Sequence, residues 1–166
     1  MRLHQLYRST WLPIPVQTAF DFFCDPFNLQ KITPPELDFC VTEPPSGSMG
    51  QNVEIGYQLK LWKIPFRWRS RIMDWRTGRS FTDVAIKSPY RVWHHQHFLT
   101  PEREGTRMID LVNYALPLWP IGELGHPIVR YQLKRIFDYR ESSFQAILGQ
   151  RGSDSIRDAS NAHQAA

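Results

Sequence analysis

The sequence is poor in cysteine, with two thiols in 166 residues, at Cys24 and Cys40. Two isolated cysteines cannot form a disulfide framework, and their spacing does not match a metal-binding motif. The chain has no run approaching the roughly 18 consecutive apolar residues of a membrane span. Its first residues lack the apolar core and small-residue cleavage site of a signal peptide. These absences predict a cytoplasmic protein with reduced thiols and no stable membrane insertion.

Several catalytic motifs are also missing. There is no Gly-x-Ser-x-Gly elbow and no glycine-rich phosphate loop, which weakens the hydrolase, kinase and dinucleotide-dependent classes. The excess of positive over negative charge is small, since the net charge is only +4. Arg67, Arg69 and Arg71 form a basic row on one strand, which is typical of a nucleic-acid site or of a solvated strand face. The small net charge favours the solvated face, so we expect no nucleic-acid partner.

Aromatic residues are plentiful, with ten Phe, six Trp and six Tyr. Alternation of apolar residues predicts strands over residues 3–12, 39–43, 53–61, 66–75, 79–86, 92–99 and 105–114, with Pro65 breaking the chain before the fourth. Apolar spacing of three to four predicts helices over 15–23, 28–32 and 125–148. In the last helix, the charged residues Lys134, Arg135, Arg140 and Glu141 are assigned to the outer face. Residues 150–166 are polar and aperiodic, which predicts a disordered tail.

Three of the six histidines lie within four residues, at His94, His95 and His97, on a predicted strand. Because strand side chains alternate between faces, His95 and His97 share one face and His94 takes the other. The next strand carries one acid, Asp110, among apolar residues. One closure of the turn sets His95 opposite Asp110, and a neighbouring register sets His97 or Trp93 there. Titratable groups mixed with aromatic ones on one face are typical of a cavity wall.

Two interpretations of His95, His97 and Asp110 remain open. A neutral imidazole held by a carboxylate has one nitrogen free, which favours a polar grip on a ligand or an acid–base pair. Alternatively, the three side chains form a buried network that fastens two strands together, since buried polar groups must be paired. A zinc or copper site is less favoured, because zinc needs three or more protein ligands in suitable geometry. We therefore expect no metal.

Three motifs carry a resemblance to a known family: Trp93-x-His95-x-His97, then Gly105-Thr106-Arg107-Met108-x-Asp110-x-Val112-x-Tyr114-x-Leu116-Pro117, then Gly122-x-x-Gly125. With them, the chain resembles the START-like, or SRPBCC, superfamily, which includes relatives of the birch pollen allergen, polyketide cyclases and lipid-transfer domains. It is most similar to the bacterial ligand-binding SRPBCC domain proteins. The resemblance covers roughly residues 3–148, with a departure at Leu99, where an aromatic residue is expected.

The resemblance implies an α+β helix-grip fold. A curved antiparallel sheet of about six or seven strands would wrap round a long C-terminal helix, with two short helices after the first strand. It implies a ligand-binding domain over residues 1–149, no cofactor, and an internal cavity between sheet and helix. Mapped on this sequence, the candidate cavity lining is Tyr57, Leu59, Trp68, Ile72, Phe81, Trp93, His95, His97, Met108, Asp110, Val112, Tyr114, Leu133 and Phe137.

Two functions follow from the resemblance. The first is binding of a hydrophobic or amphipathic small molecule, such as a lipid, isoprenoid or aromatic metabolite, by a monomer or weak homodimer. His95, His97, Asp110 and Tyr114 would then orient its polar head group. The alternative is a polyketide cyclase or dehydratase type of enzyme, in which His95 or His97 abstracts a proton beside a carbonyl. In that enzyme Asp110 fixes the tautomer and Tyr114 donates to the developing oxyanion.

Overall fold

The computed structural model describes the backbone of residues 1–164 and the side chains of residues 1–147. Its strands are β1 (His4–Leu12), β2 (Cys40–Glu43), β3 (Glu54–Leu61), β4 (Ile64–Arg76), β5 (Ser80–Lys87), β6 (Val92–Glu102) and β7 (Gly105–Ala115). Its helices are α1 (Val16–Cys24), α2 (Pro26–Lys31) and α3 (His126–Gln164), with short 3-10 turns at Pro35–Leu37 and Ile121–Gly125.

The seven strands form one antiparallel sheet in the order β1-β7-β6-β5-β4-β3-β2. The helices α1 and α2 connect its two edge strands. Proline starts α2 at Pro26, and the side chain of Asp25 caps it by accepting a hydrogen bond from the backbone N–H of Phe27 at 2.9 Å. This arrangement confirms the predicted α+β helix-grip fold, with a curved sheet, two short helices after β1 and a long C-terminal helix.

The boundary between β3 and β4 differs from the sequence-based expectation. The chain turns at Trp62 and Lys63, both of which have positive φ, as a two-residue hairpin turn of type I′ requires. Pro65 therefore lies inside β4, opposite Lys60 of β3, and does not interrupt the strand. β5 pairs with β4 only from Arg69 onward, so the missing N–H of the proline falls where β4 has a neighbour on one side.

α3 packs on the sheet through one apolar face. Leu133 and Phe137 contact Val112 and Tyr114 of β7 in one buried cluster. Further along, the ring of Phe144 packs edge-on against Phe22 and Phe23 of α1, with centroid distances of 6.3 and 4.6 Å. The helix therefore covers the β7 side of the sheet and ties α1 to it.

The two ends of α3 were predicted with different success. The helix begins at His126, one residue from the predicted start, and it is assigned as far as Gln164, beyond the predicted end at 148. Side chains beyond Ile147, together with residues 165–166, lie outside the described residues. The predicted disorder of 150–166 therefore stays a prediction. Among the described residues, no helix is both long enough and apolar enough to cross a bilayer.

Replacement of Phe144 by Ala tests the packing of α3. Phe144 is 2% exposed, so its loss should lower the free energy of unfolding by about 3–5 kcal/mol, as measured by urea denaturation. Tyr131→Ala is the matched control, because Tyr131 lies on the same helix and is 64% exposed. That control should change stability by less than about 0.5 kcal/mol. Equal effects of the two substitutions would contradict this packing.

Candidate functional site

A cavity of about 150 Å³ lies between α3, the α1–α2 segment and the strands from β3 to β6. The predicted lining residues found on its wall are Tyr57, Leu59, Trp68, Ile72, Phe81, Trp93, His95, His97, Leu133 and Phe137. The wall also contains residues that the sequence did not single out, among them Phe22, Phe23, Cys24, Leu29, Phe39, Tyr90, Ile136, Asp83 and Arg140. Most of this lining is apolar, and its polar groups gather on β5, β6 and α3.

Four residues predicted to line the cavity, Met108, Asp110, Val112 and Tyr114, are absent from its wall. All four belong to β7 and are buried. The physical reason is the position of α3, whose side chains cover β7 directly and leave open space over the neighbouring strands. Tyr114 directs its hydroxyl to Nε2 of His126, at 3.2 Å, and this contact does not support a role for Tyr114 at a ligand.

Asp110 nevertheless contacts the cavity wall through the two histidines. His97 is its direct partner across β6 and β7, which is the neighbouring register rather than the one that pairs His95. His95 lies diagonally and donates a hydrogen bond from Nε2 to Oδ1 of Asp110 at 2.8 Å. Nδ1 of His97 lies 2.9 Å from the same oxygen, but without the alignment of a hydrogen bond. The structure thus brings these three predicted site residues together, and both histidines line the cavity.

The charges in this cluster follow from its burial. Burial raises the pKa of Asp110, but the contacts with His95 and His97 outweigh it and hold the pKa below its usual value. Burial, followed by the proximity of His97, lowers the pKa of His95 to about 3 despite the favourable contact with Asp110. The pair is thus a neutral imidazole on an ionised carboxylate at neutral pH. An imidazole with so low a pKa is a weak general base.

The same three side chains have the geometry of a possible metal site. The ligand atoms of His95, His97 and Asp110 lie within 4.8 Å of one another, which makes them a possible metal-binding group. Both histidine nitrogens already approach the Asp110 oxygen, so a metal ion would have to replace these contacts. The expectation of no metal remains a prediction.

A second carboxylate, that of the partly buried Asp83 of β5, lies directly across from His95 and lines the cavity. Its Oδ1 accepts a hydrogen bond from the hydroxyl of Ser70 at 2.6 Å, and Ser70 in turn accepts one from the indole N–H of Trp68 at 2.9 Å. Burial raises the pKa of Asp83, while the bond from Ser70 opposes that shift. A strip of polar groups thus crosses β5, β6 and β7.

Arg140 of α3 completes the polar edge of the cavity, which corrects its predicted position on the outer face of the helix. Its guanidinium carbon lies 4.9 Å from the centre of the Phe137 ring. The sequence spacing indicates this inner position, because residues 133, 137, 140 and 144 follow one another at intervals of three or four residues and so share one helix face. In the same way, Asp83 lies two residues after Phe81 and must share its face.

Cys24 lines the cavity but is a weak candidate nucleophile. Burial, and then the nearby charge of Asp21, raise the pKa of Cys24 to about 12. Its thiol is therefore protonated and is a poor nucleophile.

The predicted basic row lies outside the cavity, where Arg71 pairs with Glu54 at 2.6 Å and Arg69 pairs with Glu43. These pairs fit the predicted solvated strand face.

Solved structures share this architecture. TTHA0849 from Thermus thermophilus superposes with a TM-score of 0.68 and 15% identity, covering 86% of this chain and 98% of that one. The Zhui aromatase/cyclase from a Streptomyces species gives 0.66 and 13% identity, covering 95% and 98%. Ara h 8.0201 gives 0.60 and 13%, covering 87% and 99%. No protein-family model matches the chain, and no curated protein matches it.

At 13 to 15% identity these similarities show the fold. The chain therefore has the helix-grip fold that the resemblance implied. Within that fold, the site consists of an apolar cavity with one polar edge.

The low pKa of His95 predicts a specific pH dependence of stability. The folded protein keeps His95 neutral down to about pH 3, whereas in an unfolded chain histidine takes up a proton near pH 6.5. The unfolded state then binds more protons, so stability falls as the pH falls between these values. His95→Gln removes this titration and keeps an N–H donor for Asp110.

Urea unfolding at about pH 6 and about pH 4 measures the effect. The wild type should lose stability more steeply than His95→Gln, by up to about 1.4 kcal/mol per pH unit. Equal slopes in the two proteins would show that His95 is not held neutral by burial.

Proposed function

We propose that the domain of residues 1–149 binds an apolar or amphipathic small molecule in the cavity between α3 and strands β3 to β6. The observation that carries this proposal is the cavity itself, because its wall is mainly aliphatic and aromatic and its few polar groups lie together. Binding pockets for small molecules have this composition. A volume of about 150 Å³ matches that of an engineered cavity that takes up benzene, so it suits one aromatic ring or a branched apolar chain.

The apolar wall would supply most of the affinity. Trp68, Trp93 and Phe81 present rings to the cavity, and those of Trp68 and Trp93 are 5.1 Å apart in an edge-on arrangement. Each Å² of apolar surface removed from water contributes roughly 25 cal/mol, before the costs of association are subtracted. The polar edge formed by Asp83, His95, His97 and Arg140 would set the orientation of the ligand. An aromatic metabolite or a short isoprenoid with one polar end fits both this division and this volume.

A cyclase or dehydratase role on the same scaffold is the second candidate. It is favoured by His97, which lines the cavity and has a carboxylate oxygen 2.9 Å from its Nδ1. The similarity to the Zhui aromatase/cyclase supports the same scaffold for such a reaction. Of the two histidines, His97 is the better candidate base, because the pKa of His95 is lowered to about 3. Tyr114 has no part in this version, since its hydroxyl contacts His126.

Calorimetric titration with hydrocinnamyl alcohol, a neutral probe with one ring on a short chain, tests the binding proposal. We expect one site with a dissociation constant in roughly the micromolar to submillimolar range and a negative heat-capacity change, the mark of apolar burial. Ile136→Trp should weaken binding by about tenfold or more, because Ile136 lines the cavity and an indole would fill part of it.

Ile128→Trp is the matched control for this experiment, since Ile128 is exposed on the same helix. It should leave the affinity unchanged. The binding proposal fails if the wild-type protein takes up no probe, or if both tryptophan variants weaken binding alike.

Turnover separates the second candidate from the first. A cyclisable poly-β-ketone thioester should be converted to a cyclic product by the wild type and at least about a hundredfold more slowly by His97→Ala. Absence of conversion at saturating substrate would leave binding without catalysis.

A further inference from the structure

Arg140 is a cation at the wall of an apolar cavity, and no acidic side chain of the described part of the chain forms an ion pair with it. It is the single Lys or Arg among the described residues that line the cavity. Its Nε is shielded from solvent and has no hydrogen-bond partner among residues 1–147. Within residues 1–147, no carboxylate oxygen lies within 4.0 Å of its guanidinium nitrogens. Ten other pairs of a basic and an acidic side chain do have a nitrogen and an oxygen within that distance.

The acidic groups near Arg140 are engaged elsewhere. Asp83 accepts the hydroxyl hydrogen of Ser70, and Asp110 accepts the N–H of His95. These carboxylates and the phenol of Tyr57 act on Arg140 only at longer range. Burial lowers the pKa of Arg140, and the two carboxylates oppose that shift. A guanidinium remains charged in a protein, so its N–H groups still require an acceptor.

The surroundings of Arg140 supply only part of what a partly buried cation needs. The ring of Phe137 offers its face at 4.9 Å, which stabilises the charge but accepts no aligned hydrogen bond at Nε. An unpaired charge away from water is costly unless a partner of opposite charge arrives. In this protein the cavity is the space through which such a partner can approach.

We propose that the cavity takes apolar carboxylic acids, with Arg140 of α3 as the anchor for the carboxylate and the aromatic wall as the site of the apolar body. This inference rests on the proposed function and names the ligand class for the same site. The planar fork of a guanidinium matches a carboxylate, with two parallel N–H···O bonds. A phosphate dianion fits less well. Arg140 is the one cation among the described lining residues, and the negative charges of Asp83 and Asp110 lie near it.

The test compares hydrocinnamate with hydrocinnamyl alcohol, two probes of the same shape that differ in the carboxylate. Wild-type protein should bind the acid about tenfold or more tightly than the alcohol at neutral pH, since hydrogen bonds to charged groups are the stronger ones. Arg140→Met should abolish this preference while changing the affinity for the alcohol by less than about threefold. Arg130→Met, which removes an exposed charge from the same helix, should retain the preference.

Each result has a defined meaning. If the alcohol binds and hydrocinnamate binds no tighter, or if the preference survives in Arg140→Met, the inference is overturned and the proposed function stands. If hydrocinnamate does not bind at all, the inference is overturned, and the alcohol alone then decides the proposed function.

A measurement on the wild type covers the case in which Arg140→Met does not fold. In protein labelled with nitrogen-15 arginine, hydrocinnamate should shift the Nε–H resonance of Arg140, and the alcohol should shift it much less. Arg140→Lys keeps the charge without the fork and identifies the resonance by its absence. An Nε–H signal that responds equally to both probes contradicts a carboxylate anchor.

Discussion

The buried carboxylate of Asp110 is the constraint on which the site depends. An ionised acid inside a protein must be paired, and here the pairing comes from His95 and His97, two residues apart on the neighbouring strand. A slip of one residue would turn both imidazoles to the other face of β6, so the cluster also fixes the register of the hairpin. The acid lies on the strand that α3 covers, and the histidines lie on the strand beside the cavity.

The polar edge of the cavity follows from this arrangement. Asp83 faces His95 from β5, and Arg140 reaches the same space from α3, so four strongly polar residues from three elements meet an otherwise apolar wall. The sheet and the helix thus contribute different groups to the cavity wall. The sheet supplies a rigid aromatic surface and a neutral imidazole, whereas the helix supplies the one cation among the described lining residues.

Much of this could be predicted from residue patterns, because alternation in strands and three-to-four spacing in helices reflect which side is buried. Those periods identified the strands, the long helix and the histidine–aspartate cluster. They did not show that the four predicted lining residues of β7 lie away from the cavity wall, because the position of a helix over a sheet is a tertiary property. Residue type misled the assignment of Arg140, whose spacing marks the inner helix face although a charge is typical of a surface. The spacing predicted the position of this side chain better than its charge did. A charged residue at a position whose spacing marks the core is a candidate functional residue.

The most direct test of a carboxylate-binding cavity is a crystal structure of the protein grown with hydrocinnamate. We expect electron density for the ring beside Phe81 and Phe137, with the carboxylate at about 3 Å from the guanidinium of Arg140. A cavity closed by its own side chains, with Arg140 paired to Asp83 and no probe inside, would contradict it.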